Sequence, residues 1–381
     1  MTHRIVVLGA GYAGLAAAKR AARRLRTAGR ARVVLVNDAD HFVERVRLHQ
    51  VAAGQALPGR PLAGLLAGTG IELVIARVTG VDLREKVVRL DRGHGTLGYD
   101  TLVYALGSRA DLTSVPGAAE HAFGVARAGD AERLRDGLAG VSSVVVVGGG
   151  LTGIETAAEL ATSRPGLKVG LVTAGRIGAG MSGRARRHLL AAFGRMGVDL
   201  REDATVRAVT AAGLLLDDGR DRPAEAVVWT AGFRVPALAG QAGLATDEHG
   251  RVVVDGTLRS VSHPEVFAIG DAAAAPVRGG PSRMSCQIGL PMGWRAGDLV
   301  ADLVTGRELV PVRLRYVWRN ISLGRHDGVT QFTYADDRPL GPAVLTGRAS
   351  ALFKEAVTRG TVHAIRSSLI PGRLGRRPGR V

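Results

Sequence analysis

One cysteine, Cys286, is all that 381 residues contain. No disulfide can therefore form within the chain, structural or catalytic, which excludes thiol-pair redox chemistry and lends no support to secretion. Lysine is nearly as scarce: Lys19, Lys86, Lys168 and Lys354 are the only four, so the net charge of +17 rests on arginine. That excess fits either the codon usage of a GC-rich genome or attraction to an anionic partner such as nucleotide phosphates, an acidic protein or a lipid surface. Aromatic residues make up 4% of the chain, so the core has to be built from Ala, Val and Leu, with 53 glycines permitting close backbone approach. No run approaches the ~20 uninterrupted apolar residues that span a bilayer. The residues ahead of Ile5 to Leu8 are too few for a secretory h-region. The expectation is a cytoplasmic protein of two or three domains, soluble or peripheral on the inner membrane face.

What is present is organised around two similar units. Arg4 to Leu8 reads as a strand, Gly9-Ala-Gly-Tyr-Ala-Gly14 as a glycine turn, and the Ala/Arg-rich run to about Arg26 as a helix, followed by a strand at Val33 to Val36. The pattern recurs as Ser143 to Val147, Gly148-Gly-Gly-Leu-Thr-Gly153, a helix through about Ala161, and Val169 to Val172. Further strands are expected at Glu72 to Arg77, Val87 to Leu90, Thr101 to Tyr104, Ala226 to Thr230 and Val266 to Ile269. The turn-rich segments 107–116 and 232–236 read as crossings between domains. From Pro311 onward a β-like stretch (Ile321 to Tyr334) leads into a helix near Ser350 to Thr358 and an Arg/Gly/Pro tail.

Glycine at three fixed positions between a strand and a helix has a defined use. The first makes the tight turn, the second lets the backbone approach a pyrophosphate, and the third lets the helix pack on the strand. The unpaired N–H groups of the helix start then face the phosphates. Gly9, Gly11 and Gly14 meet this pattern in full context, and Gly148, Gly150 and Gly153 repeat it. Each unit departs from the pattern where a carboxylate usually binds the ribose hydroxyls. Asn37 holds that position in the first unit, with Asp38 and Asp40 close by. Thr173 holds it in the second, with Arg176 just beyond, so both NADH and NADPH stay open.

Three more segments carry a family resemblance. Tyr99 to Ser108 resembles the strand-to-glycine motif joining the FAD and NAD domains of two-dinucleotide flavoproteins, and Val228 to Phe233 resembles its counterpart on the return crossing. His263 to Asp271 is similar to the family's second FAD motif, whose aspartate binds the ribitol chain. Within that superfamily the chain most resembles type II NADH:quinone oxidoreductases and apoptosis-inducing-factor-like reductases, through Phe42 to Gly54 and Ser322-Leu-Gly-Arg325. The resemblance implies an α/β protein with two Rossmann-like dinucleotide-binding domains, the FAD domain interrupted by the NAD(P) domain, and a small C-terminal α+β domain. The expected limits are 1–112 and 236–310 for FAD, 113–235 for NAD(P)H, and 311–381 for the C-terminal domain. Cofactor contacts are expected at Gly9, Ala10, Gly11, Tyr12, Ala13, Gly14, Asn37, Arg45, Ala105, Leu106, Gly107, Gly148, Gly150, Thr152, Gly153, Thr173, Arg176, Gly232, Gly270 and Asp271.

The implied reaction is hydride transfer from NADH or NADPH to FAD and onward passage of electrons to a quinone-like small acceptor. An acidic ferredoxin-like protein is the alternative partner, and a redox-responsive binding protein the alternative class. Hydride transfer needs alignment and water exclusion rather than an acid or base. Glu155 either positions the nicotinamide or relays protons, or else serves the helix dipole. A helix expected over Ser282 to Val300 presents its N-terminus to the flavin, with Gln287 on the acceptor side by resemblance. Cys286 reads as a small buried residue. His49 and His326 are candidate proton donors, with structural or surface roles preferred for both. No spacing suggests a metal site, and no module suggests nucleic-acid binding. The tail arginines 366, 373, 376, 377 and 380, with Leu352, Phe353, Val357, Ile365, Leu369 and Ile370, suggest either weak lipid contact or a solvated terminus. A homodimer is a further expectation.

Overall fold

The computed structural model describes residues 2–27, 29 and 31–367. The expected first unit forms as strand β1 (His3–Leu8), helix α1 (Tyr12–Leu25) and strand β2 (Ala31–Asn37), followed by a short helix α2 (Leu48–Ala52) and strands β3 (Glu72–Ile75) and β4 (Thr101–Tyr104). β1 pairs in parallel with both β2 and β4, and Ile5 to Leu8 are buried, as the continuous apolar run requires of a strand covered on both faces. The second unit is β5 (Ser143–Val147), α3 (Leu151–Ser163), β6 (Lys168–Val172), β7 (Asp199–Arg201) and β8 (Ala226–Trp229), again a parallel sheet. The chain then returns: β9 (Val266–Ala268) joins the first sheet beside β4, giving the order β9-β4-β1-β2-β3. One sheet is thus interrupted in sequence by the other. The two crossings meet as a short antiparallel pair, Arg109–Ala110 with Phe233–Arg234.

Helix α4 (Cys286–Val304) packs along α1 through glycines on one face. A Cβ on Gly293 would stand 2.2 Å from the Ala13 carbonyl oxygen, and one on Gly297 2.7 Å from that of Ala17. Arg20 and Arg24 clamp the same crossing by pairing with Asp298 at 2.7 and 2.8 Å. The close approach sets the N-termini of both helices side by side beneath the sheet. α4 starts four residues later than expected because the preceding backbone is committed elsewhere. Ser282 N–H donates to Ala275 and Arg283 N–H to the Tyr316 hydroxyl.

The C-terminal part is an antiparallel sheet of β10 (Trp318–Ser322), β11 (Gly328–Thr333) and β12 (Pro339–Thr346), covered by α5 (Gly347–Ser367). β12 was not anticipated. Pro339 and Pro342 argue against a strand, and they are accommodated because β12 lies at the sheet edge. α5 is longer than expected at both ends. Val362 and Ile365 are buried, and the Lys19 ammonium donates to the Ile365 and Arg366 carbonyls at its far end. Two small three-stranded antiparallel sheets lie over residues 78–98 and 206–223.

Candidate active site

The glycine turns behave as their spacing requires. Gly9 takes φ +97° and Gly148 φ +117°, in the left-handed region that other residues avoid. A Cβ on Gly14 would lie 1.9 Å from the Gly9 carbonyl oxygen, and one on Gly153 1.9 Å from that of Gly148, so each third glycine lets helix meet turn. A Cβ on Gly11 or Gly150 would meet nothing within 4 Å. The second glycine of each turn therefore faces open space, where a phosphate has room to approach the helix N-terminus.

The space at Gly11 belongs to a cavity of about 1650 Å³, which borders the second turn at Leu151 and Thr152. It runs from Gly9 to Ala13 and Asn37, past Ala105 to Gly107, Gly270 and Asp271, to Leu151, Thr152 and Glu155 of the second unit, and ends against Trp318 and Lys354. Tyr12, Ser285 and Gln287 are among its lining residues, and their Oη, Oγ and Nε2 atoms are buried without a hydrogen bond. Ser285 holds the N-cap position of α4 without a side-chain cap bond and Gln287 sits in its first turn, so two unused polar groups lie at one helix N-terminus. Asp271 accepts from Ser108 Oγ at 2.7 Å and from Arg45 Nη1 at 3.1 Å, and the Arg45 guanidinium lies over the Phe233 ring. This lining suits an elongated, anionic, carbonyl-bearing cofactor such as FAD.

Asn37 is committed differently from a ribose-reading carboxylate. Its Oδ1 accepts from Ala10 N–H at 2.8 Å and its amide donates to the Ala39 carbonyl at 2.8 Å, so it ties β2 to the first glycine turn. Neighbouring Asp38 pairs with Arg127 at 2.7 Å on the cavity rim. In the second unit Thr173 is buried against Gly149, and Arg176 is exposed and held by Asp203 at 3.4 Å. Gly232 takes φ +82° at the return crossing.

Glu155 is buried one turn into α3, and its environment is the main addition to what the sequence offered. Its Oε1 accepts from Ser322 N–H at 2.9 Å and from the Lys354 ammonium. The Ser322-Leu-Gly-Arg325 element is thus a docking edge, with Ser322 on Glu155 and Gly324 against Thr162. Burial, aided by the charge of Arg47, pulls Lys354 down to about 7, into the range useful for proton exchange. Lys354 carried no motif, and its rarity as one of four lysines was the only signal that could have singled it out. His49 is buried beside Glu155, whereas His326 is exposed.

Cys286 departs from expectation. Its side chain opens onto the cavity rather than packing in the core, while desolvation deep inside the protein and the charge of Asp271 push its thiol up to about 11, far from a thiolate at neutral pH. Among the suggested lipid-contact residues, Leu352 is exposed, Ile365 is buried, and Phe353 stacks edge-on with Trp318 at 5.3 Å. Leu369, Ile370 and the arginines beyond 366 lie outside the described residues. Among those described, no helix is long and apolar enough to cross a membrane and no metal-holding cluster occurs.

Two glycine turns of this geometry, the first lining the cleft and the second bordering it at Leu151 and Thr152, define a two-dinucleotide oxidoreductase. Residues 3–293 match the model of the pyridine nucleotide-disulphide oxidoreductases, and the chain belongs to that family. It is an FAD-dependent NAD(P)H oxidoreductase. With one cysteine it lacks the dithiol that the family's description names. It is 37% identical to an NADH dehydrogenase-like protein of Mycobacterium tuberculosis over 84% of this chain and 86% of that protein. It is 26% identical to the type II NADH:quinone oxidoreductase of Staphylococcus haemolyticus, over 95% and 96% of the two chains. The sulfide:quinone oxidoreductase of Aquifex aeolicus shares the fold, with a TM-score of 0.81 at 20% identity over 98% of this chain and 93% of that one.

Proposed function

We propose that the protein oxidises NADH or NADPH through bound FAD and reduces a quinone-like small molecule. The observation that carries this is a cavity that runs from the first glycine turn, past Leu151 and Thr152 of the second, to an end lined by Gln287, Trp318, Glu155 and Lys354. The named activities of its relatives support a quinone as acceptor. When bound, FAD supplies two-electron redox chemistry. The chain's own residues do the rest. Gly11 and the start of α1 cradle the pyrophosphate, while Asp271, oriented by Ser108 and Arg45, receives the ribityl hydroxyls. The N-terminus of α4, with Ser285 and Gln287, would offer preorganised dipoles to a bound flavin. Gly150 and Thr152 seat the second dinucleotide, and Arg176 leaves room for either coenzyme. Glu155 and Lys354 hold and pass the proton that acceptor reduction consumes.

The domain limits given above remain the proposed division. An acidic redox protein is the second reading of the acceptor side, favoured by the exposed Arg313 and Arg315 at the cavity mouth. Weak lipid contact through the tail and self-association complete the proposal. The test is anaerobic mixing of the yellow protein with NADH and NADPH, then with menadione and with oxidised ferredoxin. Fast re-oxidation by menadione supports the first reading, and fast re-oxidation by ferredoxin alone supports the second. A protein that binds no FAD refutes both. Liposome sedimentation and sedimentation velocity test the remaining two partners.

A further inference from the structure

Two buried ionisable groups have no part in the chemistry described so far. His49, on α2 in the FAD-binding half, has an Nε2 without a hydrogen-bond partner, and Glu159, on α3, has an unpartnered Oε2. Both are buried, Glu159 completely. Glu155 and Glu159 stand one helical turn apart, and the His49 ring lies between them. Its Nδ1 is 4.0 Å from Glu155 Oε2 and its Nε2 is 3.9 Å from Glu159 Oε2. Both gaps are about 1 Å longer than a hydrogen bond, within reach of a small side-chain adjustment. On the far side Glu159 Oε1 accepts from the Ser163 hydroxyl at 3.2 Å and from the Gln55 amide, and both of those residues are half-buried. On the near side Glu155, Lys354 and His49 itself line the cavity.

We propose that Glu159 and His49 form a proton inlet that leads from Gln55 and Ser163 at the surface to Glu155 and Lys354 at the acceptor end of the cavity. The proposal rests on the reading above and supplies what its balance requires. NAD(P)H gives up a hydride, the acceptor gains two electrons and two protons, and NAD(P)⁺ is left, so one proton must enter from water in each turnover. A neutral imidazole suits this task, because it takes a proton at one nitrogen while releasing one from the other and retains no charge. The ring is faced by Glu155 and Glu159 from α3, Lys354 from α5, Arg325 from the turn after β10, and Arg47 just before α2. Burial and the three cations hold it well below its usual 6.5, so it is neutral at physiological pH. In this route His49 acts through Glu155, 4.0 Å from its Nδ1, although it also borders the cavity.

The test uses the FAD-loaded full chain carrying His49→Gln or Glu159→Gln. Ferricyanide accepts one electron and no proton, whereas menadione takes two of each. Flavin bleaching by NADH and ferricyanide turnover are expected to stay within about twofold of wild type. Menadione turnover is expected to fall by at least about tenfold, at the low end of what positioned proton transfer contributes, with a larger solvent deuterium isotope effect. Equal losses with both acceptors, or none with either, overturn the inlet. A water-sized recess of about 10 Å³ beside Lys354, bordered by Glu355 and Arg325, is the rival route. Slowing of menadione turnover by Glu355→Gln and not by His49→Gln also overturns it. If wild type reduces ferricyanide but no quinone, the quinone reading fails by itself. The inlet is then read with dichlorophenolindophenol, which takes up protons on reduction, and a wild-type rate in His49→Gln refutes it.

Discussion

The second and third glycines of the first turn, Gly11 and Gly14, make a paired prediction, because the structure assigns them different work. At Gly14 a Cβ would stand 1.9 Å from the Gly9 carbonyl oxygen and 3.1 Å from its carbon. Both are backbone atoms, so relief requires α1 to retreat by about 1 Å from the sheet, an overpacking that costs about 1–3 kcal/mol. At Gly11 the backbone is extended, with φ −69° and ψ −175°, and nothing lies within 4 Å of a Cβ. Gly11→Ala should therefore leave the apoprotein as stable as wild type, or up to about 1 kcal/mol more stable through a stiffer unfolded chain. Its methyl fills the gap meant for the pyrophosphate. FAD affinity should fall at least tenfold, equivalent to about 1.4 kcal/mol. Gly14→Ala should lower the apoprotein Tm by several degrees, at roughly 2–4 °C per kcal/mol. Thermal melting of FAD-stripped protein and fluorescence titration with FAD separate the two. Wild-type FAD affinity in Gly11→Ala would refute the placement of the pyrophosphate, and equal destabilisation in both variants would refute the division of labour.

Other consequences follow from single contacts. His49 is neutral in the fold and protonates near 6.5 when unfolded, so unfolding takes up a proton as pH falls below 6.5. Wild type should lose about 1.4 kcal/mol per pH unit relative to His49→Gln between pH 6.5 and 5, and parallel stability curves would contradict this. Asn37→Ala strips the acceptor from the buried Ala10 N–H and should cost about 1–3 kcal/mol with loss of flavin, whereas Asn37→Asp keeps that acceptor and should load FAD. Flavin retained equally by both would show that the tie does not matter. Arg176→Ala should raise KM for NADPH by up to about fivefold and leave NADH unchanged, as befits an exposed charge contact. A rise with NADH as well would place Arg176 elsewhere in the coenzyme site.

The sequence by itself determined the two glycine turns and their order along the chain. Their requirements are local: a left-handed φ at Gly9 and Gly148, a bare helix face at Gly14 and Gly153, and an apolar strand immediately before each. It also determined that no dithiol relay operates, because one cysteine cannot form one. The third strand of the C-terminal sheet was hidden because two prolines mask an edge strand, and an edge becomes visible only once the partner strands are in place. Cys286 read as core because small apolar neighbours surround it in sequence, while the helix start turns it into the cavity. The tertiary structure alone decided what surrounds Glu155. Lys354 arrives from 199 residues away and Ser322 from 167, and His49 comes from the other dinucleotide-binding half. Periodicity in a sequence records which face of an element is buried, and it carries no record of which buried charges will meet there. That meeting of Glu155, Lys354, Ser322 and His49 is what the proposed proton route rests on.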